Sequence, residues 1–299
     1  MKAVVLIGGG EPMAHPEFGT LVDYFYENDI HVGVTSNGTL IDKYANSLAN
    51  HTKWVRISVD AGSEEVFQQY RPHASGKSQF NKVIDGMKIL SKSRKTKLGF
   101  SFLVLEKVGA DKKYNEKGQN FVETNATDIF KAAKLAKEIG CDYFEVKPSF
   151  DPFHFLNDTS ALMSNIIKDE LNKSAYLEDE NFKIISPYTL SKTMEGEKKQ
   201  IKDYSRCLTA EMRTVLSPSG AYVCPYHRGN NNLKIGDPNT ESLKEIWYGK
   251  TRKDIMKSLD PRKHCEFHCI RHNTNKVLEK FYDKSPTNEI VEKEYDRFV

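Results

Sequence analysis

The sequence predicts an α/β protein: a parallel sheet or barrel over residues 1–150, followed by a small cysteine-rich module. Three observations carry this. Apolar strand-like runs alternate strictly with helix-like runs through the first 150 residues. The residues that directly follow those runs are small or polar, as ligand-binding strand ends are. Four of the five cysteines lie beyond residue 206.

The elements follow in order. AVVLI (3–7) is continuous and apolar, the pattern of a strand buried on both faces. PEFGTLVDYFYEN (16–28) is amphipathic and reads as a helix. HVGVTSN (31–37) is a strand ending in polar residues, LIDKYANSLAN (40–50) a helix, and WVRISVD (54–60) the next strand. Residues 63–93 hold a short and a longer helical stretch, and KLGFSFLVL (97–105) is a strand. ATDIFKAAKLAKEIG (126–140) is an alanine-rich helix closed by Gly140, and YFEVKPSF (143–150) is the fifth strand. On a parallel sheet Gly9, Gly10, Glu11, Ser36, Asn37, Ser58, Asp60, Lys147 and Ser149 converge on one rim. Residues 156–200 read as a linker with a helical piece near 158–171, and 201–273 as a second module. There RTVLSPSGAYVC offers a hairpin, and Ser242 with Glu245 forms a capping box. The tail, 274–299, begins as a helix.

Charge is balanced, with 44 basic and 41 acidic residues and a net charge of +3, so nucleic acid is not expected as a partner. No apolar run is long enough to span a membrane, and no leader precedes a cleavage site; the expected address is the cytosol.

Cys207 and Cys224 are separated by 16 residues, Cys224 and Cys265 by 40, and Cys265 and Cys269 by three. Two thiols on one turn and two more on a hairpin can make a four-thiolate pocket. Zinc and an iron–sulfur cluster both suit it, and HCEFHCIRH adds His264, His268 and His272 as candidates for a mixed zinc site. Cys141, at a helix–strand junction, reads as a core residue.

GGGEP (8–12) follows a strand but is no phosphate cradle. Glu11 would repel phosphate, and no lysine follows at the P-loop spacing. Glycines with a carboxylate fit a ligand bearing an ammonium group.

These residues resemble the radical S-adenosylmethionine superfamily with a C-terminal twitch/SPASM-type auxiliary-cluster domain. GGGEP resembles its Gly-Gly-Glu motif, TSNGT (35–39) its Thr-Asn-Gly turn, and RISVDAGSEEVF (56–67) its fourth-strand segment. CLTAEMRTVLSPSGAYVC, LKIGDPNTESLKEIW and CEFHC resemble the auxiliary module. The defining C-x3-C-x2-C loop is absent, so the chain is expected to begin after the family's first strand, as a partial (β/α)6-type barrel without its first β–α unit, and to be unable to cleave the cofactor as written.

The resemblance implies S-adenosylmethionine as cofactor, bound by Gly9, Gly10, Glu11, Pro12, Ser36, Asn37, Ser58, Asp60, Arg71 and Lys147. Glu11 would hold the ammonium, and Ser58 and Asp60 the ribose or carboxylate. Arg71 would pair with the carboxylate or form a plain surface salt bridge. Cys207, Cys224, Cys265 and Cys269 would hold one auxiliary [4Fe–4S] cluster, a second cluster being present only with the missing N-terminal segment. The implied partners are a peptide or small-molecule substrate and a reductant such as flavodoxin or ferredoxin, the implied reaction a net oxidation. Residues 106–125 and 151–200 are expected to carry specificity. The rival class is a non-enzymatic zinc-binding protein built on a degenerate barrel. An aldolase-type barrel is a third reading, for which only Lys147 is available.

Overall fold

Strictly alternating side chains build the first sheet. In β2 (His31–Ser36), β3 (Trp54–Ser58), β4 (Lys97–Leu103) and β5 (Tyr143–Lys147) every second residue is buried, and all of these but Ser36 are apolar. Val32, Val34, Val55, Ile57, Leu98, Phe100, Phe102, Phe144 and Val146 form one face. That face shares a core with helix residues such as Val22, Leu48, Met87 and Ala136. The computed structural model describes residues 1–92, 95–106, 123–150, 161–197 and 200–282. They divide into two units, the first running to Ser149 and resuming up to Gly196, the second taking Phe150 and the residues from Glu197 onward.

The first unit begins with β1 (Ala3–Leu6), and β1 to β5 alternate with α1 (Phe18–Glu27), α2 (Ile41–His51), α3 (Glu64–Tyr70), α4 (Phe80–Ser91) and α5 (Ile129–Ile139). Then come α6 (Ala161–Ala175), β6 (Lys183–Ile185) and α7 (Tyr188–Met194). The six strands are all parallel and lie in sequence order. Gly140 caps α5 in the left-handed conformation (φ 91°), as its position predicts.

Two expectations are corrected. The segment 156–200 is no mere linker, because it supplies α6, α7 and the sixth strand. Three residues, KII, pair with β5 and extend the sheet. Nor is β1 buried on both faces. Among the described residues it pairs only with β2, and Val5 and Ile7 are 43% and 60% exposed. The expected specificity segment 106–125 lies mostly outside the described residues, as do 151–160 of the second.

In the second unit α8 (Leu208–Met212) precedes an antiparallel sheet of β7 (Val215–Ser217), β8 (Gly220–Tyr222) and β9 (Lys234–Gly236). Pro218 and Ser219 join the first two strands, and Gly220 takes φ 141°. Then follow α9 (Leu243–Tyr248), α10 (Lys250–Ser258), α11 (Pro261–His264) and α12 (His272–Tyr282). Ser242 and Glu245 form the capping box of α9. Ala221, Val223, Leu233, Ile235, Ile246 and Leu259 make a separate small core.

Candidate functional site

Glu11 ties the first two strand ends together. Its Oε1 accepts hydrogen bonds from Ser36 Oγ (2.8 Å) and Met13 N (3.0 Å), and its Oε2 accepts one from Asn37 N (2.7 Å). Glu11 thereby caps a 3-10 turn, Pro12–Ala14, in which Pro12 takes the first position, where no N–H is needed. The turn after β2 is built to meet it. Ser36 Oγ accepts from Gly38 N, Asn37 Oδ1 accepts from Thr39 N and Oγ1, and Gly38 takes φ 80°.

Gly9 and Gly10 are exposed, have ordinary φ, and a Cβ on either would meet nothing within 4 Å. Nothing in the chain's own packing requires glycine there.

Asp60 sits just past β3, 1% exposed and left-handed (φ 60°). Oδ1 accepts from Leu103 N at 2.7 Å, and Oδ2 accepts from Arg71 Nε (2.7 Å) and Nη2. Asn125, fully buried, donates to the carbonyls of Asp60 and Leu103 and locks the loop. Asp60 thereby holds Arg71 and the start of the loop after β4 in place, and it lines the same pocket. Arg71 is so aimed that it lines a pocket of about 430 Å³. The other lining residues include Asn37, Thr39, Asp60, Tyr70 and His73. Tyr70 Oη is buried there with no hydrogen-bond partner among the described residues. Burial, and after it Glu123 and Glu106, raise the Tyr70 pKa to about 12, so it stays a donor at neutral pH.

The face of the sheet opposite the helices is polar, and sequence reasoning missed its main feature. Arg56 Nη1 reaches across β4 to Glu145 Oε2 (3.0 Å), and its Nη2 to Thr35 Oγ1 (3.4 Å). The reach is possible because the intervening β4 residues are Gly99 and Ser101. Arg and Glu at alternate positions of WVRIS and YFEVK were the available signal. Lys147 Nζ stands 3.8 Å from Glu145 Oε2. Burial, followed by the Arg56 charge, lowers the Lys147 pKa to about 8. Ser58 lies on the same face, in register with Ser101.

In the second unit the four cysteines form no disulfide, and they lie near enough for their charges to act on one another. Burial first, then the charges of Cys224, Cys207 and Cys269, push the Cys265 thiol up. Burial raises Cys224 to about 11, with Cys269 and Cys207 adding to it. The N–H groups of His227 and Tyr226 face the Cys224 sulfur. Cys269 Sγ accepts from Arg271 N (3.4 Å), Cys207 Sγ from Asn275 Nδ2 (3.5 Å), and His227 Nε2 stands 3.5 Å from Cys265 Sγ. Such N–H···S contacts suit thiolates rather than thiols.

A single zinc ion needs its thiolates about 3.8 Å apart, the edge of a tetrahedron with 2.3 Å bonds. Among the described residues no three His, Cys, Asp or Glu side chains are gathered to hold one ion. A four-iron cube holds each thiolate on its own iron, and so farther apart. The donor set, four cysteine thiols, is one that a [4Fe–4S] cluster can take. Cys141, the one cysteine before residue 207, is buried in the first unit. Among the described residues no helix is long and apolar enough to cross a membrane.

Comparison with known proteins agrees with this geometry. Residues 1–108 match the family model of the Radical SAM superfamily, and the six-stranded parallel sheet resembles that superfamily's partial barrel. Among solved structures the chain resembles anSMEcpe with bound AdoMet and a Kp18Cys peptide, at 17% identity. The match covers 85% of this chain and 69% of that one, with a TM-score of 0.55. It also resembles Streptococcus suis SuiB bound to the precursor peptide SuiA, at 15% identity and a TM-score of 0.54, covering 84% of this chain and 55% of SuiB. No curated protein matches.

Proposed function

We propose that this chain is the S-adenosylmethionine-binding part of a radical enzyme that oxidises a peptide substrate, aided by one auxiliary [4Fe–4S] cluster on a twitch-like module. The observation that carries the reading is the convergence of Gly9, Gly10 and Glu11 with Asn37 and Arg71 at the carboxyl ends of neighbouring parallel strands.

A carboxylate offers about four lone-pair directions. Ser36, Met13 and Asn37 fill three on Glu11 and fix its orientation, leaving one for the cofactor's ammonium. Arg71 is clamped through Nε and Nη2, and Nη1 has no partner among the described residues; it suits a carboxylate. The bare backbone at Gly9 and Gly10 lets the ligand lie close. The pocket's volume is in the usual range for a small ligand. S-adenosylmethionine supplies radical chemistry when an iron–sulfur cluster reduces it. A peptide substrate is put first because both groups of neighbours hold peptides. The oxidative outcome follows from a cluster whose four irons are all ligated by cysteine, which suits electron transfer rather than substrate coordination.

Calorimetric titration of the full chain with S-adenosylmethionine tests this. The expected result is saturable binding, weakened about tenfold or more by Glu11→Gln and by Arg71→Ala, the loss of one charge-assisted contact each. Absence of binding, or affinity unchanged in both variants, would overturn the reading.

A further inference from the structure

Three cations crowd the four-thiol pocket. Lys202 is only 6% exposed. Its Nζ donates to Phe267 O (2.5 Å), inside the Cys265–Cys269 turn, and to Gln200 O (2.9 Å). Gln200 Oε1 in turn accepts from Cys269 N (3.1 Å), so the lysine and that cysteine are held on one frame. Arg271 sits two residues past Cys269 and gives its backbone N–H to the sulfur. Arg213 lies beside Arg271 and Cys269. The Nε atoms of both arginines are buried with no hydrogen-bond partner among the described residues. Lys202 and Arg213 act on Cys269 in the same sense, each favouring its thiolate.

Two like-charged guanidinium groups and a buried ammonium do not gather without an anion among them. Lys202 and Arg213 face Cys269, and Arg271 faces it in turn. A cluster ligated by four thiolates is net negative in both oxidation states, and more so after gaining an electron. Nearby positive charge therefore favours the reduced form.

We infer that Lys202, Arg213 and Arg271 form a cationic collar that sets the occupant of the four-cysteine pocket at a raised reduction potential. This rests on the reading that the pocket holds an iron–sulfur cluster. The three residues are positioning groups: they touch no substrate and act through charge. A raised potential suits a site that takes electrons from the reaction rather than one that drives it.

The test is a redox titration, monitored by electron paramagnetic resonance, of the full chain loaded anaerobically with iron and sulfide. Lys202→Met and Arg271→Gln should each lower the midpoint potential, by about a tenfold shift in the one-electron equilibrium or ~59 mV. Arg271→Lys, which keeps the charge, should restore it, and Lys253→Met, on the exposed side of α10, should leave it unchanged. Should Lys202→Met fail to load, Arg271→Gln, whose parent side chain is part-exposed, carries the test. Midpoints unchanged in variants that retain their iron would overturn the collar, and so would an equal fall in Lys253→Met. An unmodified chain that takes up no iron would instead overturn the cluster reading itself.

Discussion

At the scale of single residues, the glycines and the charged groups divide between folding and binding. Gly38 and Gly62 are demanded by the fold: the first has φ 80°, and a Cβ on the second would lie 2.4 Å from the Ala132 nitrogen. Gly9 and Gly10 are not. Gly9→Ala and Gly10→Ala should leave thermal unfolding within about 0.5 kcal/mol of the parent, while weakening S-adenosylmethionine binding. A loss of stability without a loss of affinity would contradict the role. Lys147 makes a different prediction. Its folded pKa of about 8 lies below the unfolded value of 10.5, so between these pH values the unfolded chain binds more protons. Stability therefore rises with pH across that window, and below it the cost of burying the ammonium is fully present. Lys147→Met should be the more stable protein at neutral pH, with the gap closing from pH 8 towards 10.5 in paired denaturant titrations. The place of Glu11 at a strand end was legible from motif and order alone. The bond that Asp60 accepts was not, because the donating amide lies 43 residues away and no local pattern encodes it.

At the scale of elements, the strands were legible wherever alternation ran for five or more residues. The sixth was not. KII is three residues long, and pairing with β5 alone decides its state. The apolar run at β1 was misread as doubly buried, because continuity of hydrophobic residues does not reveal how many neighbours a strand has. The polar face of the sheet depends on two small residues that leave room for rings. A Cβ on Gly33 would lie 2.2 Å from the Trp54 ring, and one on Gly99 would lie 2.1 Å from the Tyr143 ring. Gly99→Val should cost about 1–3 kcal/mol by overpacking. The cost should shrink when Tyr143→Ala is added, because the two side chains compete for one space. Additive losses in chemical denaturation would show that the ring is not what the glycine accommodates.

At the scale of the whole molecule, each unit brings its own chemistry. The first unit offers a strand-end site without thiols; the second offers thiols among cations, beside a small apolar core. Cysteine spacing alone leaves zinc and iron–sulfur open, and the proposed function takes the larger occupant. The measurement that bears most directly on the account is a count of iron, acid-labile sulfide and zinc per chain after anaerobic loading. The account predicts about four irons and four sulfides, as one [4Fe–4S] cluster requires, with both lost when Cys224 and Cys265 are changed to serine. A colourless protein carrying one tightly held zinc, or a chain that binds no metal at all, would contradict it.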